Sequence, residues 1–400
     1  MRKTNEKILR TLLAFSVLAT ALLSSGCLDD EEEVSDSTSS DNRQTSESKN
    51  SDGGESGGNK YDGEVNGSRA SKLTFSDSDG ISITRKQRET EKPMGEDGTQ
   101  TVFIYMCGSD LESENGLASG DIEEMVAGSQ SENVKFVIQT GGAGAWADTY
   151  GISAGKTQRY VVTGGEISLI EEKESVNMGK EDVLVDFLSW GIENYAAAKM
   201  GVIFWNHGGG SVSGASFDEL YDYDSLTLGE MYEAFSAVWE PDTEDPPLEL
   251  VGFDTCLMAT VDTAYTFCDL SRYLVASEET EPANGWYYSR WVGALADDPS
   301  MDGAALGRVI CDAYYEGCQE AGTADDATLS VTDLSRLEGL MNAYERFGAE
   351  ALAAACGDPA FFTRFARVAA QSENYGGNTR EQGYTNMVDL GHMARQSGDL

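Results

Sequence analysis

Four short, nearly continuous apolar runs limit how this chain can fold: residues 101–106, 134–139, 202–205 and 249–253. A strand with one wet face alternates polar and apolar residues, whereas a strand buried on both faces does not. Between the runs lie stretches with helical spacing at 121–126, 181–197 and 226–239. Further helices are expected at 257–269, 304–321, 334–355 and 359–370, and further strands at 273–276 and 329–332. Residues 159–162 and 167–170, joined by Thr163-Gly164-Gly165, read as a β-hairpin. Strand alternating with helix makes a mainly parallel sheet covered on both faces. The expected fold class is α/β: a helix–sheet–helix sandwich, followed by a mainly helical region over 301–400.

The first residues have another purpose. Arg2, Lys3, Lys7 and Arg10 precede the apolar run 12–23, which is short for a membrane span. Leu23-Ser24-Ser25-Gly26 then leads into Cys27. This is the layout of an export signal. With a cysteine at that point, residues 1–27 resemble a bacterial lipoprotein signal, in which Cys27 would be lipidated and become the new N-terminus. The expected location is the outer face of the cell membrane, held by the lipid. Residues 28–98 are rich in Ser, Gly and acids, and they read as a disordered tether with a short edge strand at 73–75 and 81–84. The cluster Arg85, Lys86, Arg88 and Lys92 is a place for a trypsin-like cut.

Charge narrows the list of partners. The whole chain carries a formal charge of −41, and residues 99–400 hold 15 basic against 50 acidic side chains. Such a surface repels phosphate, so no nucleic-acid partner is expected. It attracts cations.

Two strands end in reactive residues. Residues 202–205 run into Asn206-His207-Gly208-Gly209-Gly210, and residues 249–253 run into Asp254-Thr255-Cys256. In open parallel sheets, ligands bind beyond the carboxyl ends of the strands. Singly, a cysteine is often a small buried apolar residue and a histidine often only a hydrogen-bonding one. Together at neighbouring strand ends they suit thiol catalysis, with Cys256 as nucleophile and His207 as proton carrier. Cys256 is expected to begin the helix 257–269, whose N-terminus would favour the thiolate. The backbone N–H groups of Gly208 and Cys256 would form an oxyanion hole. No third side chain is visible, and a backbone carbonyl is expected to orient the imidazole. The remaining cysteines follow no paired pattern, so no structural disulfide is expected.

From Thr101 to Tyr288 the chain resembles the clostripain family of cysteine peptidases, in the wider caspase-like and gingipain-like group. The resemblance rests on an ordered set of motifs: Ser109-Asp110-Leu111-Glu112 after the first strand, Gln139-Thr140-Gly141-Gly142, and Gln158-Arg159-Tyr160. It continues through Trp205-Asn206-His207-Gly208-Gly209-Gly210, Asp224-Ser225-Leu226-Thr227-Leu228, Gly252-Phe253-Asp254-Thr255-Cys256, Glu281-Pro282 and Gly285-Trp286. It implies a caspase-like αβα peptidase domain over 99–300, with His207 and Cys256 as the dyad and cleavage after Arg or Lys. Asp254 matches the family's acidic residue in the primary specificity pocket. The chemistry agrees, because Asp254 lies two residues before Cys256 and its carboxylate would pair bidentately with a guanidinium. A helix-capping role is the plainer alternative. A second pocket acid is expected from 278–281.

Several departures shape the expectations. Family members often mature by cutting after a basic residue between His and Cys, but no Lys or Arg occurs from 201 to 271. Processing is expected elsewhere, at Lys180, Lys199 or the 85–92 cluster, or not at all. The acidic loop 240–245 could instead cover the site. No cofactor is required, and calcium remains open as an activator through the resemblance, although no EF-hand spacing is present. The helical region 301–400 is expected to be incomplete. The competing function is a catalytically silent, lipid-anchored protein that binds cationic peptides in the same cleft. A solute-binding lipoprotein would need two similar lobes, and no such duplication is present.

Overall fold

The computed structural model describes residues 63–66, 71–76, 80–85, 95–377, 385 and 387–399. The signal segment with Cys27 lies outside them, as does most of the expected tether. Three antiparallel strands stand within that tether: β1 (Gly63–Asn66), β2 (Ser71–Ser76) and β3 (Gly80–Arg85). The segments 73–75 and 81–84 therefore belong to two neighbouring strands of a meander, not to one edge strand.

The body is an αβα sandwich. Its strands are β4 (Gln100–Cys107), β5 (Val134–Gly141), β6 (Lys156–Thr163), β7 (Glu166–Glu174) and β8 (Lys199–Trp205). A small pair, β9 (Ala215–Asp218) and β10 (Asp224–Leu226), follows. Then come β11 (Leu248–Asp254), β12 (Ser271–Ala276) and β13 (Ser330–Asp333). The eight-stranded sheet has the order β13-β12-β11-β8-β4-β5-β6-β7. Its five central strands are parallel, and antiparallel strands close both edges. The β6–β7 turn needs two left-handed residues to match strand twist. Gly164 and Gly165 supply them, at φ 58° and 77°.

The interleaved helices are α1 (Ser109–Asn115), α2 (Leu117–Gly128), α3 (Glu181–Tyr195), α4 (Gly210–Ser213), α5 (Leu228–Val238) and α6 (Val261–Phe267). The chain continues with α7 (Tyr288–Asp297) and α8 (Gly303–Ala321). Alternation along the strands sends side chains to opposite faces. Phe103, Tyr105, Phe204 and Phe253 pack with α3, α5 and α6, while Ile104, Met106, Ile203 and Trp205 pack with α2, α7 and α8. Arg159 pins the hairpin edge to this frame. It is 2% exposed, bonds Gln139, Glu171 and Asp186, and lies over the Trp190 ring. That network accounts for Gln139 and Arg159 in the two motifs as structure.

Beyond the sheet lie α9 (Leu337–Gly357), α10 (Phe361–Ala369), the hairpin strands β14 (Asn374–Tyr375) and β15 (Met387–Val388), and α11 (Leu390–Gln396). Among the described residues no helix is long and apolar enough to cross a membrane.

Candidate active site

Trp205 at the end of β8 and Asp254 at the end of β11 are partners in the parallel register. His207 and Cys256 each lie two residues further on, so the sheet delivers both to one end of adjacent strands. Asn206 fixes the exit of β8. Its Nδ2 donates to the Cys107 carbonyl and its Oδ1 accepts from the Phe217 N–H, both at 2.6 Å. The glycine after His207 lets the two loops touch, since a Cβ at Gly208 would collide with the Cys256 carbonyl oxygen and with Thr255. Gly208 also pairs with Ala215, but the Gly209 N–H closes that bridge, donating to Gly214. Among the described residues, neither the Gly208 nor the Cys256 N–H donates to a backbone acceptor.

The helix expected from 257 begins only at Val261. Leu257 is left-handed at φ 67°, which a continuing helix does not tolerate, and the Thr260 hydroxyl caps α6 by accepting from the Thr263 N–H. Cys256 therefore sits in a turn and gains nothing from a helix N-terminus. Burial pushes its thiol up, and the Asp254 and Glu279 charges push the same way. The Glu281 N–H, donating to Sγ at 3.3 Å, opposes them.

The imidazole has a side-chain partner where a backbone carbonyl was expected. His207 Nε2 lies 2.8 Å from Asp110 Oδ1, and the Ser109 hydroxyl donates to the same oxygen. Partial burial pulls the Asp110 carboxyl up, but these two bonds, the His207 charge and a backbone hydrogen bond together leave the carboxyl below its ordinary value. Glu112, in the same motif, has a different task. It is 2% exposed and accepts from the Ser119 N–H and hydroxyl and from the Ala147 N–H, which caps α2.

Below the strand ends is a group of acids. Asp254 is 6% exposed, accepts from the Tyr288 hydroxyl at 2.8 Å, and is pushed up to about 7 by burial. Of the acids at 278–281, Glu281 is the one that meets it. Burial, then the Asp254 and Cys256 charges, push Glu281 well up. Both its oxygens are buried without a hydrogen bond at full geometry among the described residues, and the nearby Trp286 indole pulls the carboxyl down only in part. Two ionised carboxylates cannot bond each other, so the pair must keep a proton or take a cation. Asp121 of α2 is a third acid, raised by burial and by Asp254, with the Trp205 indole donating to it at 2.6 Å. Gly285, at φ 57°, passes over Asp254 and Asp121. Sequence reasoning missed α7, which brings Tyr288 here, although Tyr288, Trp291, Val292 and Leu295 have helical spacing and are all buried.

Other expected features fall elsewhere. Residues 240–245 precede β11 and so lie at the opposite end of the strand from Cys256, where they cannot cover it. Lys199 lies within β8 with its Nζ bonded to the Ser300 and Met301 carbonyls, so it is no exposed cutting site. Lys180, just before α3, is half-exposed and pairs with Asp224 at 2.6 Å. A cavity of about 620 Å³, lined by Asn177 and residues 220–225, contains none of the predicted site residues. Among the described residues no three His, Cys, Asp or Glu side chains come together to hold a metal ion.

The chain is 26% identical to clostripain of Hathewaya histolytica over 209 residues, 45% of this chain and 38% of that protein. It therefore spans well under two thirds of that relative's length. Among solved structures it is similar to a secreted C11 cysteine protease from Bacteroides thetaiotaomicron, at 22% identity and TM-score 0.47, covering 61% of this chain and 68% of the other. It is also similar to an inactive zymogen C11 protease from Parabacteroides distasonis, at 20% identity and TM-score 0.46, covering 60% and 63%. The model of the clostripain family matches residues 104–400, well over half of the sequence, and the chain belongs to that family.

Proposed function

We propose that this protein is a cysteine endopeptidase that hydrolyses peptide bonds after Arg or Lys, held at the outer face of the cell membrane by a lipid on Cys27. One juxtaposition carries the reading. His207 and Cys256 end adjacent parallel strands, and beside them Asp254 and Glu281 are two buried carboxyls with no counter-charge. A guanidinium or ammonium group entering there supplies that charge and fixes the scissile bond over the thiol.

The steps balance without a cofactor. The Cys256 S–H proton passes to His207 and the sulfur bonds the carbonyl carbon, sending an electron pair to the oxygen. The Gly208 and Cys256 N–H groups receive that oxyanion. As the carbonyl re-forms, the C–N bond breaks and His207 returns the proton to the leaving amine. Water then adds to the thioester with His207 as base, the C–S bond breaks, and the thiol is regenerated.

The test is turnover of fluorogenic peptides ending in Arg, Lys, Asp or Ala under reducing conditions, beside Cys256→Ala. Cleavage after Arg or Lys that disappears in the variant is expected. Cleavage only after Asp or Ala would overturn the role given to Asp254 and Glu281. Tight binding of cationic peptides without turnover would favour the catalytically silent reading, for which the raised Cys256 thiol speaks. Cys27→Ser is expected to move the protein from the membrane to the soluble fraction.

A further inference from the structure

We infer that Asp110 is the positioning residue of His207, fixing the ring proton on Nε2 and leaving Nδ1 as the nitrogen that serves Cys256. The inference rests on the His207/Cys256 reading above. An ionised carboxylate only accepts hydrogen bonds, so an imidazole nitrogen 2.8 Å from Asp110 Oδ1 must carry its hydrogen. A neutral ring has one N–H. Once Nε2 holds it, Nδ1 is a bare acceptor that can take the Cys256 proton and later return it. With the opposite tautomer the nitrogen left for the thiol would already be protonated, and the first step would stall.

Asp110 is preset for this task from two sides. Ser109 stands at φ 50°, a left-handed geometry uncommon for a residue with a side chain. Its N–H donates to Gly142 at 3.1 Å and its hydroxyl to Asp110 Oδ1 at 2.9 Å. Two residues on, buried Glu112 ties the far end of the turn to α2 and to Ala147. The carboxylate thus reaches His207 from a segment bonded on both flanks, so little ordering remains to be done when substrate arrives. The three residues adjoin three different parallel strands, β4, β8 and β11, which are neighbours in the sheet. A plain helix-start acid in α1 would need no such aim, because a negative charge in the first turn is favourable wherever it points.

The ring itself can be observed, since the full chain has only two histidines, His207 and His392. Nitrogen NMR of histidine-labelled full-length protein carrying His392→Gln isolates His207. The neutral ring is expected as the Nε2–H tautomer. Asp110→Asn and Asp110→Ala are expected to populate the Nδ1–H form and to lower kcat on the order of 10²- to 10⁴-fold with little change in KM. An Nδ1–H ring in the parent protein overturns the inference without recourse to a variant. So does a ring that stays Nε2–H in both variants, or a loss of activity that appears only as a raised KM. Absence of turnover in every protein would sink the peptidase reading, while the tautomer would still decide the role of Asp110.

Discussion

Asp254 binds its proton more tightly in the folded chain than in the unfolded one, and this has a measurable consequence. Burial pushes the carboxyl from its ordinary 3.8 up to about 7. Between those values the folded chain retains a proton that the unfolded chain has released, so stability falls as pH rises through that window. For a shift of this size the loss is at most about 4 kcal/mol. Asp254→Asn removes the titration and keeps the shape, so urea midpoints between pH 4 and 7 are expected to depend less on pH in the variant than in the parent. Equal slopes would mean that Asp254 is not the group titrating. At the same scale, the proximity of Asp110 to His207 was not legible. The two residues are 97 positions apart, and neither one's local pattern names the other. The candidate pair His207 and Cys256 was readable only because each follows a strand that the hydrophobic pattern locates.

At the level of elements, the central strands were legible for a physical reason: both faces are buried, so their apolar runs are continuous and bounded by glycine. The hairpin was legible because a two-residue Gly164-Gly165 turn has few other uses. The start of α6 was not. Its spacing reads as helical from 257, but Leu257 is left-handed and Thr260 is extended, so the helix waits for Val261; the capping Thr260 is the one residue type there that signals the start. That break matters, because it turns Cys256 out of the helix and against the loop after β8. The closeness of these two loops makes Gly208→Ala informative. The added methyl meets the Cys256 carbonyl and Thr255, which must shift. Overpacking of this kind costs about 1–3 kcal/mol. The variant is expected to melt a few degrees lower while kcat/KM drops on the order of 10²-fold, since displacement of reacting groups by about 1 Å has that effect. A variant as active as the parent would show that the loops have slack.

Over the whole molecule, the C-terminal region reaches back to the loops that follow β8 and β11 from outside the sheet. The Gly376 N–H at the end of β14 donates to Glu279 Oε1 at 2.7 Å, and Gly376 itself lies against the Leu257 side chain. On the other strand of the hairpin, the Met387 thioether lies against Gly210, which is itself close to the Leu257 carbonyl. One hairpin thus touches the segment after His207 and the segment after Cys256 together. Both loops lie past the last strand pairs, where backbone bonds such as Gly209 N–H to Gly214 and Leu257 N–H to Glu279 hold each one, and the hairpin adds a contact that spans both. Met387→Ala removes the packing on Gly210 and leaves the sheet and both cores untouched. Kcat/KM is expected to fall several-fold while the main unfolding transition stays within about 1 kcal/mol of the parent, because Met387 is only half-buried and outside the core. Limited proteolysis followed by mass spectrometry is expected to show faster cutting around residues 374–388 in the variant, since a segment that loses its apolar contacts opens more often. If turnover and cutting rate both match the parent, the hairpin only rests on the site; if both change together, the C-terminal region is part of what aligns His207 with Cys256.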